Sequence, residues 1–138
     1  MIKLDINKED FKIYITLKEY NFKYNTNIQD IDIKKLDLNL KTIGNEGLEN
    51  LAKIKFKELN KLYLGKNEIS DINILEKVSF KKLEELDLKY NNISDISIFE
   101  KIKFKELKDL DLKGNNLNEK KNHSIINFLK SKIKKLYI

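Results

Sequence analysis

Three stretches of the chain are copies of one another at a fixed spacing. Residues 59–72 read "LNKLYLGKNEISDI", residues 83–96 read "LEELDLKYNNISDI", and residues 107–120 read "LKDLDLKGNNLNEK". Each starts 24 residues after the last and alternates apolar with polar positions until an asparagine ends the run. Self-similarity at such a period restricts a chain to stacked units, each too small to bury its own apolar face.

In register, the copies align Leu59, Leu62, Leu64, Asn67 and Ile69 with Leu83, Leu86, Leu88, Asn91 and Ile93, and with Leu107, Leu110, Leu112, Asn115 and Leu117. Ile33, Leu36 and Leu38 open an earlier copy, and Ile133, Leu136 and Ile138 a partial last one. The starts at 33, 59, 83, 107 and 133 are thus separated by 26, 24, 24 and 26 residues. The L-x-L core has period two, so in each copy two leucines point inward and the residue between them points out, as in a half-buried strand. Beyond the strand the chain must turn, and no ladder serves the turn's backbone. A carboxamide both donates and accepts, so Asn67, Asn91 and Asn115 are expected to bond the turns of adjacent coils.

This pattern, L-x-x-L-x-L-x-x-N-x-[IL], resembles the leucine-rich repeat family over residues 33–138. The resemblance implies an α/β solenoid, a right-handed superhelix with one short strand per repeat in a parallel sheet on the concave face. The two middle repeats are similar to the short-return class of internalins and phosphatase regulators. The 26-residue repeats resemble the ribonuclease-inhibitor class, with more helical returns. "IGNEGLENLAKIKF" (43–56) sets Leu48, Leu51 and Ala52 on one helix face behind an Asn45 cap, and "NEKKNHSIINFLKSK" (118–132) turns Ile125, Ile126, Phe128 and Leu129 inward behind an Asn118 cap. Asp71 and Asp95 read as caps of short helical or 3₁₀ returns, and Phe56, Phe80 and Phe104 as a convex-side spine. The first copy has Lys41 in the asparagine position, which predicts either a different turn or a coil at the end of the array. Residues 1–32 do not fit the repeat; their alternating "IKLDI" and "FKIYITL" predict a β-rich N-terminal cap.

Composition narrows the chemistry. The chain has no Cys, which removes disulfides and thiolate metal sites, and one His, His123, in a Lys/Asn stretch. No phosphate-loop, dinucleotide or serine-hydrolase motif is present. Asp37, Asp87 and Asp111 occupy equivalent positions on adjacent strands and could mimic an acid/base pair, but no convergent partners accompany them, so they read as structural or interface residues. Asn92 and Asn122 open glycosylation sequons, expected to be accidents of an asparagine-rich chain. The reading is therefore of no enzyme, no metal and no cofactor. The charged decad "MIKLDINKED", without an apolar run of signal-peptide length, leads to the expectation of a cytoplasmic setting. No apolar stretch has the length of a membrane span.

Two candidate surfaces remain. The outward positions of the five strands hold Lys35, Lys61, Glu85, Asp109 and Lys135, then Asp37, Tyr63, Asp87, Asp111 and Tyr137, then Asn39, Gly65, Lys89 and Lys113, with Tyr90 beyond Lys89. The inward residues are constant because burial demands it; the outward ones vary because it does not. The expected function is binding of a protein partner through this face, with tyrosines as anchors. Lys89 and Lys113 are expected to compensate the aspartates two residues earlier. The alternative is a basic adaptor for nucleic acid or an anionic surface. All 28 basic residues are Lys, and Lys120, Lys121, Lys130, Lys132, Lys134 and Lys135 carry the whole net charge of +6, since residues 120–138 contain no acid. The same lysines also suit a helix C-terminus and an open sheet edge, where self-association or strand docking could occur.

Overall fold

The computed structural model describes residues 30, 31, 33–78, 80–102 and 104–138. The strands are β1 (Asp30–Ile31), β2 (Lys35–Asp37), β3 (Lys55–Phe56), β4 (Lys61–Tyr63), β5 (Glu85–Asp87), β6 (Asp109–Asp111) and β7 (Lys135–Tyr137). Two helices, α1 (Gly44–Leu51) and α2 (His123–Lys132), form the returns of the first and last complete coils. The two middle returns are 3₁₀ segments, Asn73–Lys77 and Ser97–Glu100. The N-terminal cap expected over residues 1–32 lies outside the described residues except for β1.

Five strands form one parallel sheet in the order β2-β4-β5-β6-β7, the register expected from the repeat. Leu36, Leu62, Leu86, Leu110 and Leu136 are successive partners across it. The ladder continues one step past each strand, with the Leu38, Leu64, Leu88 and Leu112 amides donating to the Tyr63, Asp87, Asp111 and Tyr137 carbonyls at 2.8 Å. A second, two-stranded parallel sheet pairs β1 with β3, away from the concave face. Nothing in the repeat pattern predicted it.

The core is one continuous column of Leu and Ile from every coil, with Leu48, Leu62, Leu64, Ile69, Leu75, Leu83, Leu88, Ile93, Ile96 and Leu110 fully buried. Burial of that depth contributes about 1.5–3 kcal/mol per large side chain. The aromatic spine forms as expected, with ring centroids 5.8 Å apart for Phe56–Phe80 and 6.2 Å for Phe80–Phe104.

The asparagine ladder is also as expected. Asn91 is 4% exposed. Its Oδ1 accepts from the Asn67 and Ile69 amides at 2.9 and 3.0 Å, and its Nδ2 donates to the Leu64 and Leu88 carbonyls, both at 2.9 Å. Asn67 serves the first coil in the same way, accepting from the Lys41 and Ile43 amides and donating to the Leu38 carbonyl. Asn115 accepts from the Ile93 amide and donates to the Leu88 and Leu112 carbonyls. Each carboxamide thus closes the turn of the coil before it. This resolves the Lys41 departure. Leu40 and Thr42 adopt the left-handed φ of 60° and 54° that Lys66 and Glu68 show at 56° and 60° in the next coil, so the turn is built the same way. What the first coil lacks is only the side chain that would serve an earlier coil.

Three sequence expectations need correction. Helix α1 is shorter than residues 43–56, because Lys55–Phe56 are drawn into β3; Ala52 falls at its C-cap and is half-buried. Asn45 does not cap α1. It lies inside the first turn, behind Ile43, and its Oδ1 instead accepts from the Ser70 and Asp71 amides of the next coil at 2.9 and 3.1 Å. Asn118 likewise does not cap α2. Its Oδ1 takes the Lys121 amide, closing a turn ahead of the helix, and Asn122 occupies the cap position. Phe128 is not inward. At about 100° per residue, Ile125, Ile126 and Leu129 share the buried arc and Phe128 falls outside it, leaving it 39% exposed. The expected roles of Asp71 and Asp95 hold one residue earlier than the formal cap: their Oδ1 atoms accept from the Asn73 and Ser97 amides at 2.8 and 2.9 Å.

Candidate functional site

The sheet's alternation places Lys35, Asp37, Lys61, Tyr63, Glu85, Asp87, Asp109, Asp111, Lys135 and Tyr137 on the outward row of the strands. Lys89, Lys113 and Tyr90 follow at the strand ends, where the chain begins to turn.

These side chains are largely engaged with one another across the sheet. Tyr63 donates its hydroxyl to Glu85 Oε1 at 2.9 Å, and Lys61 Nζ lies 3.1 Å from the other Glu85 oxygen. Burial and the Glu85 bond raise the Tyr63 phenol to about 12. Burial alone would raise Glu85, but the bonds from Tyr63 and Lys61 outweigh it and hold the carboxyl below its ordinary value. Asp87 is only 8% exposed, with Lys89 Nζ at 2.9 Å and the Lys89 amide donating to its Oδ1. Lys135 reaches Asp109 at 3.5 Å. Exposed pairs of this kind contribute about 0–1 kcal/mol each, so they orient the face more than they hold the fold.

One expected compensation does not form. Lys113 does not pair with Asp111; its ammonium sits 4.6 Å above the Tyr137 ring. Asp111 accepts the Lys113 amide, and among the described residues no ammonium pairs with its carboxylate. Asp111 and its cross-sheet partners Asp87 and Tyr137 line, with Glu85, Asp109 and Lys135, a shallow depression between β5, β6 and β7.

Tyr90 and Tyr137 are the outward-facing aromatics that remain open, at 54% and 41% exposed. Tyr90 holds a left-handed φ of 53°, the position filled by Leu40, Lys66 and Gly114 in the other coils. Its ring lies over Gly114, where an added Cβ would come within 2.3 Å of Tyr90 Cδ1. Lys66 approaches the other side, 5.4 Å from the ring centroid. Sequence reasoning did not single out Gly114 or Lys66. The signal was present, because both align with Tyr90 in the repeat.

The basic residues do not gather into one patch. Lys120 and Lys121 precede α2, whereas Lys130 and Lys132 lie in its last turn, about 15 Å along a ten-residue helix. Lys134 lies in the link to β7, and Lys135 belongs to the concave row. His123 is exposed and pairs with Asn127 at 3.0 Å. The sequon at Asn122 is closed, because that side chain is buried and donates to the Ser94 and Asn118 carbonyls. Among the described residues no acidic, His or Cys group is arranged to hold a metal ion, and no helix is long and apolar enough to cross a membrane.

The parallel sheet, the stacked coils and the inter-coil asparagines define a solenoid of strand–turn–return units. The two-copy model of leucine-rich repeats matches residues 57–101 and again 81–131, more than half of the chain, and the chain belongs to the leucine-rich repeat family. No curated protein matches it. Among solved structures, 17 chains match. One is an internalin, InlF, of Listeria monocytogenes, at 24% identity with a TM-score of 0.48. The match covers 73% of this chain and 32% of that one, so this chain spans about a third of the internalin's length. Leucine-rich repeats generally mediate protein–protein interaction, and they are typically non-enzymatic.

Proposed function

We infer that this chain is a non-enzymatic recognition module that binds a protein partner through the concave face of its five-stranded sheet. The observation that carries the reading is the contrast between the two sides of each strand. The inward residues are nearly identical from coil to coil, while the outward ones change charge and size at every step. Tyr90, Asp111 and Tyr137 are the central candidates. They combine open aromatic surface with a carboxylate that no ammonium neutralises, whereas Tyr63 and Asp87 are tied down by Glu85 and Lys89. Amphipathic rings of this kind serve as interface anchors.

The test is capture from a native lysate with the wild-type chain and with a Tyr90→Asn, Asp111→Ala, Tyr137→Ala variant of unchanged circular dichroism. A protein retained by the first and lost by the second supports the concave face. A protein held equally by both sinks it. Recovery of nucleic acid that falls away steeply with salt and is lost in a Lys121→Glu, Lys134→Glu variant would favour the basic end instead.

A further inference from the structure

The aromatic spine on the convex side ends in an open cleft. Phe56, Phe80 and Phe104 recur every 24 residues, and the next residue in that series is Phe128. The first two are buried, at 4% and 3% exposed, Phe104 is half-buried, and Phe128 is 39% exposed. The cause is the change of return. The 3₁₀ segment Ser97–Glu100 holds its coil flat, but α2 carries Phe128 off the spine, and no ring contact joins it to Phe104 among the described residues. Between them opens a cleft of about 390 Å³, walled by Phe99, Phe104, Phe128 and Ile133, with Lys105 and Lys132 on its lining and no carboxylate. That volume lies within the roughly 300–1,000 Å³ range of clefts that take ligands or anchoring side chains.

The geometry points to this cleft as a second docking site, for a peptide segment of a protein partner that carries large apolar side chains flanked by carboxylates. Charge complementarity selects the occupant. Neither Lys105 nor Lys132 has an ion pair among the described residues, and the lining offers two cations beside an apolar wall. A second copy of this chain would bring like charges together, because residues 120–138 hold six Lys and no acid. Nucleic acid would answer the lysines but leave the apolar wall uncovered. An apolar anchor enters between Phe104 and Phe128, and its flanking carboxylates meet Lys105 and Lys132. The site lies on the opposite side from the concave row and stands independently of it.

The test is fluorescence anisotropy on the full chain with three labelled peptides. One carries Phe and Leu flanked by Glu, the second has Lys in place of Glu, and the third has Gly in place of Phe and Leu. The first is expected to bind saturably and the other two at least tenfold more weakly. Phe128→Ala should weaken the first about tenfold, the scale of losing one anchor. A Lys105→Glu, Lys132→Glu variant should exchange the preference toward the Lys peptide. Both variants change exposed side chains, and circular dichroism verifies their fold. Tyr90→Asn should leave the binding unchanged, so loss of binding in that variant moves the peptide to the concave face and overturns the inference. Absence of saturable binding also overturns it, as does equal binding to Phe128→Ala. So does displacement of the peptide by laurate at equal affinity, or a concentration-dependent dimer that Phe128→Ala abolishes.

Discussion

Tyr90 and Asn91 are neighbours in the chain and opposites in the fold. Asn91 is buried and joins two coils through four short bonds; Tyr90 is half open and rests on a glycine and a lysine. The same contrast runs along every coil. Inward, burial makes an unsatisfied amide or a missing methylene expensive, so one solution recurs. Outward, solvent screens the pairs and tolerates exchange. The difference teaches that the repeat consensus describes the inner side only, and that information about a partner is confined to what varies.

The contrast can be pressed with substitutions of falling effect. Leu86→Ala removes a core side chain at the centre of the sheet, and a loss of about 3–4 kcal/mol in urea unfolding is expected. Asn115→Ala should lose less, about 1–2 kcal/mol, because Asn115 is only half-buried and its Oδ1 serves a single amide. An equal loss at both sites would mean that carboxamide bonding contributes as much as packing. Gly114→Ala must displace the Tyr90 ring and hold a left-handed φ of 66°, for about 1 kcal/mol, and it should move Tyr90 fluorescence or NMR shifts while leaving those of Tyr63 in place.

The smallest effect concerns pH. The Tyr63 phenol is raised to about 12 by burial and its bond to Glu85. The folded state therefore holds this proton more tightly than the unfolded chain. The associated stability is fully present below the ordinary tyrosine range near pH 10 and is lost as pH rises through 12. Tyr63→Phe should flatten that part of the alkaline unfolding curve. A titration of phenolate absorbance in which all tyrosines ionise together near pH 10 would count against the bond.

Much of the solenoid was legible in the sequence, and the reasons are specific. Period-two leucines at a constant spacing fixed the sheet order and register, and the asparagine chemistry followed from turn amides that needed an acceptor. The returns were less legible. Asn45 reads locally as a helix cap, but the coil stacked on it presents two free amides at Ser70 and Asp71, and the carboxamide goes there. Phe128 follows the 24-residue spacing of the spine, yet the helical return imposes its own period and turns the ring outward. Pairing of β1 with β3 involves two residues on each side, too short for a periodic signal. For the concave face, the positions were legible from the register, but their freedom was not. That Tyr63 and Asp87 are tethered while Tyr90, Asp111 and Tyr137 are available depends on which neighbour lies across the sheet, so the composition of one strand does not reveal it.

The most direct test is equilibrium urea unfolding of Asn91→Ala beside Tyr90→Asn, the latter chosen because asparagine tolerates the left-handed backbone of that turn. Asn91→Ala strands the Asn67 and Ile69 amides and two carbonyls in the interior. A loss of about 3–5 kcal/mol is expected there, against less than about 1 kcal/mol for Tyr90→Asn. Comparable losses at the two positions, or a larger one at Tyr90, would contradict the division between a structural inner side and a free outer side.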